Sequence, residues 1–355
     1  MAGTPQHVSD AADAGKDVPA VHILHRGPRY IVRFLQATPD PWAVVSFEYW
    51  KPEPTLEGEF SGEGFFRHRG LNAFGIMAAS NDWFQDDEIL QVIAAINRVA
   101  EGWRLIGYGG SMGGFATINF YHDLHLANAV TVIPQFSIDG ARAPYEPRWR
   151  EEAARISFNH DKIDRIPRVT RAWAIFDPWC VDARHIADIQ RYHRLTEIRV
   201  PFGGHAVMGM LQQANVYTDM FTDMLAERFD AQAFRRRWRA ARRGSAQFWL
   251  GISQALLARG NAAGALRAAL QARGLPHPDP GWVDIAEADA RAALDETAAA
   301  VALLAPWLEH PGFGEMARSR RAQWSPPVLP APTPHRPLWR RVAGRIRRAV
   351  TSPAG

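Results

Sequence analysis

The residues best suited to chemistry lie in Leu105–Phe115, LIGYGGSMGGF, where Gly109-Gly110-Ser111-Met112-Gly113 reads G-x-S-x-G. An apolar run precedes the serine and a helix-like segment follows it, which is the context a nucleophilic serine needs. Such a serine sits on a sharp strand-to-helix turn with its hydroxyl exposed. Small residues must flank it, because a Cβ there would collide with the neighbouring strand or helix. The helix start that follows aims backbone N–H groups at a developing anion. Phosphate binding is the competing chemistry for a glycine-rich turn. No lysine follows in the G-x-x-x-x-G-K-[ST] pattern, and no G-x-G-x-x-G fingerprint fits. No cysteine cluster or paired histidine motif is present, so neither a metal site nor a cofactor is expected.

A serine hydroxyl is a weak nucleophile until a base takes its proton. The stretch resembles the nucleophile elbow of the α/β-hydrolase superfamily, in which the chain order is Ser, then acid, then His. The resemblance implies a histidine in the loop after the last strand. His205, in Pro201-Phe202-Gly203-Gly204-His205, is the one of thirteen histidines placed there and flanked by glycines. It also implies an acid after an earlier strand, where Asp177 and Asp182 both qualify. Asp182 stands several residues past the strand, as in similar hydrolases, and is favoured. Asp177, followed by Pro178, suits a turn. The same resemblance makes the Met112 N–H one oxyanion donor. The second is expected after WAVVSFEYW, with Phe47 preferred and Glu48 as the alternative. That loop lacks a His-Gly signature, a departure from common lipases and esterases. Asn81, Trp83 and Gln135 are expected to contact substrate at the C-terminal sheet edge.

Seven apolar runs must position these groups: 30–35, 42–49, 73–79, 103–109, 129–135, 172–177 and 197–202. Most are short, rich in Val, Ile and aromatics, and bounded by Gly, Pro, Asp or Asn, which are strand features. Helices are expected between them at 86–100, 113–124, 182–194 and, as one long element, 208–229. Strand alternating with helix predicts an α/β fold: a mostly parallel, α/β-hydrolase-like sheet with flanking helices. Residues 140–170 read as a cap or insertion. After the arginine-rich run Phe234–Arg243 the pattern is purely helical, so a C-terminal all-α appendage follows. Phe248 and Trp282, Asn261 and Asp295, and Ala265 and Ala299 recur at an offset of 34, which resembles a tetratricopeptide repeat.

The expected organisation is a disordered N-terminus over 1–24, a catalytic domain over 25–230, and a basic linker or helix over 231–245. A tetratricopeptide-like region over 246–312 follows, then a proline-rich linker and basic amphipathic tail over 313–355. The single cysteine, Cys180, leaves no internal disulfide and fits a reducing compartment, so a cytoplasmic location is expected. No apolar stretch reaches the roughly 18 residues of a membrane span. The net charge of +4 resides largely in the arginine runs, so nucleic acid is not an expected partner. Leu338, Val342, Ile346 and Val350 among arginines make the tail a candidate for acidic lipid, with a solvated tail as the plainer reading.

The function expected from these features is a serine hydrolase, esterase-like, acting on a small-molecule acyl substrate. Two alternatives stay open: an acyltransferase with the same triad, or a non-catalytic scaffold whose helical region binds a protein partner.

Overall fold

The computed structural model describes residues 19–324. They form one eight-stranded sheet in the order β1-β2-β4-β3-β5-β6-β7-β8. The strands are β1 (Ala20–Arg26), β2 (Tyr30–Gln36), β3 (Trp42–Phe47), β4 (Ala73–Ala78), β5 (Arg104–Gly110), β6 (Leu126–Val132), β7 (Ala172–Phe176) and β8 (Leu195–Arg199). From β3 onward every pairing is parallel, whereas β1–β2 and β2–β4 are antiparallel. The helices flanking the sheet and bridging its strands are α1 (Glu63–His68), α2 (Glu88–Val99), α3 (Met112–Asn119), α4 (Arg150–Ala153), α5 (Asp182–Gln190), α6 (Val207–Gln213) and α7 (Tyr217–Leu225). The architecture is α/β-hydrolase-like, with an all-α region after it. Central strands such as β4 are buried along their whole length, as the continuous apolar run Ala73–Ala78 requires of a strand covered on both faces. Parallel pairing brings the C-terminal ends of β3, β5, β6, β7 and β8 to one edge, and the loops there carry the candidate chemistry.

Three expectations about elements of the sheet domain need correction. Residues 20–24 are not disordered but form most of β1, the edge strand. Its mixed polar sequence, AVHILHR, hid it, because an edge strand buries little and loses its apolar alternation. β6 begins at Leu126 rather than Ala129, since polar Asn128 lies inside it, and it ends at Val132 before Pro134. The single helix expected over 208–229 is two, broken where Asn215 adopts φ 52° between α6 and α7. Asn is one of the few side chains that tolerate this left-handed conformation.

The C-terminal region continues with α8 (Ala231–Ala241), α9 (Ala246–Leu257), α10 (Ala262–Arg273), α11 (Pro280–Ala292), α12 (Thr297–Leu304) and α13 (Gly314–Trp324). The basic segment 231–245 is therefore mainly helix, capped by Asp230, whose carboxylate accepts from the Gln232 and Ala233 N–H groups. Likewise 314–324, expected to be linker, is helical. It buries Ala317 and pairs Arg320 with Asp289 at 2.6 Å. The expected N-terminal disorder over 1–18, the proline-rich stretch and the basic tail lie outside the described residues. Positions related by the offset of 34 fall in unlike surroundings. Phe248 is buried and Trp282 exposed; Asn261 caps α10 while Asp295 takes φ 63°; Ala265 is buried and Ala299 exposed.

The helical region is docked tightly. Phe248 joins the main core, Ser245 Oγ donates to Gln213 Oε1 at 2.8 Å, and α9 packs on α6. Gly251 faces the Phe202 carbonyl so closely that a Cβ would overlap it. Gly251→Ala is expected to lower unfolding stability by about 1–3 kcal/mol through overpacking. Gly244→Ala, with open space around the new methyl, is expected to change it little. Denaturant titration of the two variants checks this contrast.

Candidate active site

Ser111 ends the elbow with φ 51° and ψ −114°, a conformation a non-glycine residue adopts only under strain. Two hydrogen bonds hold it: the Ser111 N–H donates to Val132 O and the Phe115 N–H to Ser111 O, both at 2.9 Å. The glycines around it answer to sterics. A Cβ on Gly109 would overlap the Gly113 carbonyl, and one on Gly113 would come within 2.6 Å of Phe47 O. Helix α3 and strand β3 can close on the serine only because both positions lack a side chain. Ser111 itself is 6% exposed.

His205 follows β8 in a loop whose Gly204 takes φ 53°. Its Nε2 lies 3.0 Å from Ser111 Oγ, and its Nδ1 lies 3.0 Å from Asp182 Oδ2. The ring is 31% exposed, whereas the Asp182 side chain is fully buried. Asp182 opens α5 rather than sitting in a free loop. Asp177 occupies the other expected place, with a structural task. Its Oδ1 accepts from the Trp179 N–H at 3.0 Å and its Oδ2 from the Gly204 N–H at 2.9 Å, which ties the β7 end to the histidine loop. Trp179 packs on Phe202, with ring centres 4.6 Å apart, and braces the same loop.

The region between β6 and β7 supplies residues that sequence reasoning missed. Arg148 Nη2 donates to Asp182 Oδ1 at 2.6 Å, and its Nη1 lies 2.9 Å from His205 Nδ1. The Arg148 Nε also donates to Glu146 at 2.9 Å. His185 completes the chain. Its Nδ1 accepts from the Phe136 N–H, so its Nε2–H donates to Glu146 Oε2 at 2.9 Å. Trp149 stands over the site, with ring centres 5.9 Å from His205, 5.5 Å from Trp50 and 5.6 Å from Trp83. From the stretch expected as a cap or insertion over 140–170, Arg148 and Trp149 reach the site, but no periodicity marked Glu146, Arg148 or Trp149. Two arginines and a proline among aromatics, YEPRWR, were the only hint.

These charges shape one another. Burial alone would push the Asp182 carboxyl up, but hydrogen bonds and charge from His205 and Arg148 hold it well below the usual carboxylate range. Burial likewise opposes ionisation of Glu146, and Arg148 and His185 overcome it, leaving Glu146 at about 2. Cys180 experiences the opposite. Burial first, and then the adjacent Asp182 charge 3.4 Å from its sulfur, push the thiol up to about 12.

The expected substrate contacts are otherwise engaged. The Asn81 side chain clamps the Lys51 backbone, accepting from its N–H at 3.1 Å and donating to its carbonyl at 2.6 Å. The Trp83 Nε1–H donates to Gln135 Oε1 at 2.7 Å, and both residues are buried. Asn81 thus serves the backbone, while the Trp83–Gln135 pair is buried with Gln135 Nε2 left without a partner among the described residues. Met112 opens α3, whose first-turn N–H groups have no intrahelical partner. Glu48 is unsuited as an oxyanion donor, since its N–H donates to Ile76 O at 3.0 Å. Phe47 packs its ring between Phe84 and Phe120 and turns its carbonyl toward Gly113.

Two cavities adjoin the site. One, of about 320 Å³, lies between the histidine loop and the C-terminal helices, lined by Phe202, His205, Gln247, Leu250, Gln254 and Trp282. The other, of about 460 Å³, is lined largely by aromatic rings, among them Tyr49, Phe65, Tyr108, Tyr217 and Phe221, together with Met208. A Cβ on Gly110 would sit 3.6 Å from Met208 Cε, so this second cavity begins beside the elbow.

No protein-family model matches the chain, and no curated protein matches it in sequence. Several solved structures align with part of the chain at low identity. A capsule O-acetyltransferase of Neisseria meningitidis serogroup A aligns with TM-score 0.43 and 10% identity, over 60% of this chain and 97% of that one. An esterase of Pyrococcus furiosus aligns with TM-score 0.38 and 11% identity, over 56% and 86%. A fluorophosphonate-binding serine hydrolase of Staphylococcus aureus aligns with TM-score 0.38 and 14% identity, over 59% and 99%. Among the described residues no helix is long and apolar enough to cross a membrane.

The depressed Glu146 carboxyl makes a signed prediction. A carboxylate held below its ordinary value of 4.5 stabilises the fold above that pH and loses the contribution as pH falls toward about 2. Glu146→Gln is expected to be less stable than wild type at pH 7, with a smaller further loss between about pH 5 and pH 3. Melting temperatures of both proteins across that range check it.

Proposed function

We propose that this protein is a serine hydrolase that cleaves an acyl ester through an acyl-enzyme intermediate. The observation that carries the reading is the line of contacts from Ser111 Oγ to His205 Nε2 and from His205 Nδ1 to Asp182, each 3.0 Å. His205 takes the Ser111 proton as Oγ attacks the carbonyl carbon. The imidazolium that forms is balanced by buried Asp182. The Met112 N–H, with a second donor from the loop after β3, holds the oxyanion. His205 then protonates the leaving alcohol, and water repeats the sequence to release the acid. An ester suits the site better than a peptide only in the breadth of such chemistry, so the bond type is part of the proposal.

The two cavities divide the substrate in this reading. The aromatic cavity beside the elbow takes an apolar acyl group. The cavity beside His205 takes the alcohol half, which meets the Gln247 and Gln254 amides and the Trp282 ring. The cavity beside His205 also favours the acyltransferase variant, because an acceptor hydroxyl placed there sits next to the base that must activate it. The C-terminal helices are then a wall of the site rather than a platform for a protein partner.

A fluorophosphonate probe is expected to label wild-type protein and to leave Ser111→Ala unlabelled at equal folded content. Unlabelled, folded wild type overturns the proposal. Trp282→Ala is expected to raise KM several-fold for esters with bulky, hydroxylated alcohol halves while kcat changes less. An equal fall in kcat with unaltered KM would place Trp282 outside the binding surface.

A further inference from the structure

A buried carboxylate needs partners on both oxygens, and Asp182 obtains its second one from outside its own loop. Oδ2 faces His205 and the Cys180 thiol, and Oδ1 faces Arg148 Nη2 at 2.6 Å. Among the described residues no backbone N–H donates to this carboxylate. Asp182 belongs to α5, at the end of the sheet, whereas Arg148 belongs to the segment between β6 and β7. The arginine is itself fixed by Glu146, Glu146 by His185, and His185 by the Phe136 N–H just beyond β6.

A second observation concerns the base. His205 Nδ1 lies 3.0 Å from Asp182 Oδ2 and 2.9 Å from Arg148 Nη1. An imidazole nitrogen has one in-plane position, filled by a proton or by a lone pair. A protonated Nδ1 donates to Asp182, and a bare Nδ1 accepts from Arg148. Only the first arrangement leaves Nε2 free to take the serine proton.

We propose that Arg148 is a positioning residue for the Ser111–His205–Asp182 site, through which the segment over the sheet edge orients the acid and sets the partner of His205 Nδ1. The inference rests on the triad reading and deepens it. Seating of the 140–150 segment becomes a condition for an aligned triad, although no atom of that segment reacts.

The site that holds Asp182 and His205 loses activity on the acid side when it gains a proton. Charged and titratable groups reach this pair from several elements. Arg148, with Glu146 behind it, comes from the segment above, His185 from α5, Asp177 and Cys180 from the β7–α5 loop, and Ser111 from the elbow. The α9 and α11 side presents the neutral Gln247, Gln254 and Trp282. Loss of a fixed positive charge beside the pair favours its protonated form, so this acid-side loss must move to higher pH.

The test is the rate of Ser111-dependent fluorophosphonate labelling from acid to neutral pH in wild type, Arg148→Lys, Arg148→Met and Glu146→Gln. Arg148→Met is expected to slow plateau labelling by a factor on the order of 10². Its acid midpoint should rise by roughly one pH unit. Arg148→Lys keeps the charge and should hold the midpoint near wild type, with a slower plateau because the two-pronged grip is lost. Glu146→Gln, which touches neither Asp182 nor His205 but releases Arg148, should slow the plateau by a smaller step than Arg148→Met without raising the midpoint, since it removes a negative charge, and serves if that variant does not fold. A wild-type midpoint in Arg148→Met, a wild-type plateau in Glu146→Gln, or a Lys variant displaced as far as Met overturns the positioning role while the triad stands. Folded wild type with no Ser111-dependent labelling overturns the triad and this inference together.

Discussion

The site depends on a backbone conformation that its own sequence resists. Ser111 is held at φ 51°, at a cost of about 1–3 kcal/mol for a residue with a side chain. What holds it there is the closeness of β5, β6 and α3. Its N–H is committed to β6, its carbonyl to the first turn of α3, and the flanking glycines let β3 and the helix come within contact distance. Relaxing the serine would break both hydrogen bonds and reopen packing among strands buried on both faces. The fold over-determines the turn, and the hydroxyl emerges at the sheet edge already aimed.

Electrostatics add a second layer on that scaffold. Asp182, Arg148, Glu146 and His185 form a chain of alternating charge and hydrogen bonding in which each buried group is satisfied by the next. Such a chain contributes less to stability than its short distances suggest, because each member gave up hydration to join. Its value lies in geometry. A carboxylate gripped on both oxygens presents a fixed direction to the imidazole, and the imidazole a fixed direction to the serine.

The sequence made the outline legible where local physics is strong. Apolar runs bounded by Gly and Pro located the interior strands, because a buried parallel strand has nowhere to place polar residues. The glycines around Ser111 and His205 marked turns that a Cβ would block, and so pointed to both groups. β1 escaped notice because an edge strand carries polar residues on much of its surface. The break at Asn215 was hidden within a pattern of continuous helical periodicity. Arg148 was illegible for a different reason: its meaning is set by Asp182, 34 positions away, and no period or motif links the two. Asn81 binds the Lys51 backbone and Trp83 binds Gln135. Loop polarity alone does not say which partner a polar group will find.

Cys180 shows what the buried charge does to its neighbours. It is the chain's one cysteine, half-buried, with its sulfur against the Asp182 carboxylate. With the thiol pushed up to about 12, almost no thiolate exists at neutral pH, and thiolate is the form that oxidants and alkylating agents attack. Burial first, and then the anion that steadies the imidazole, keep the sulfur in its less reactive thiol form.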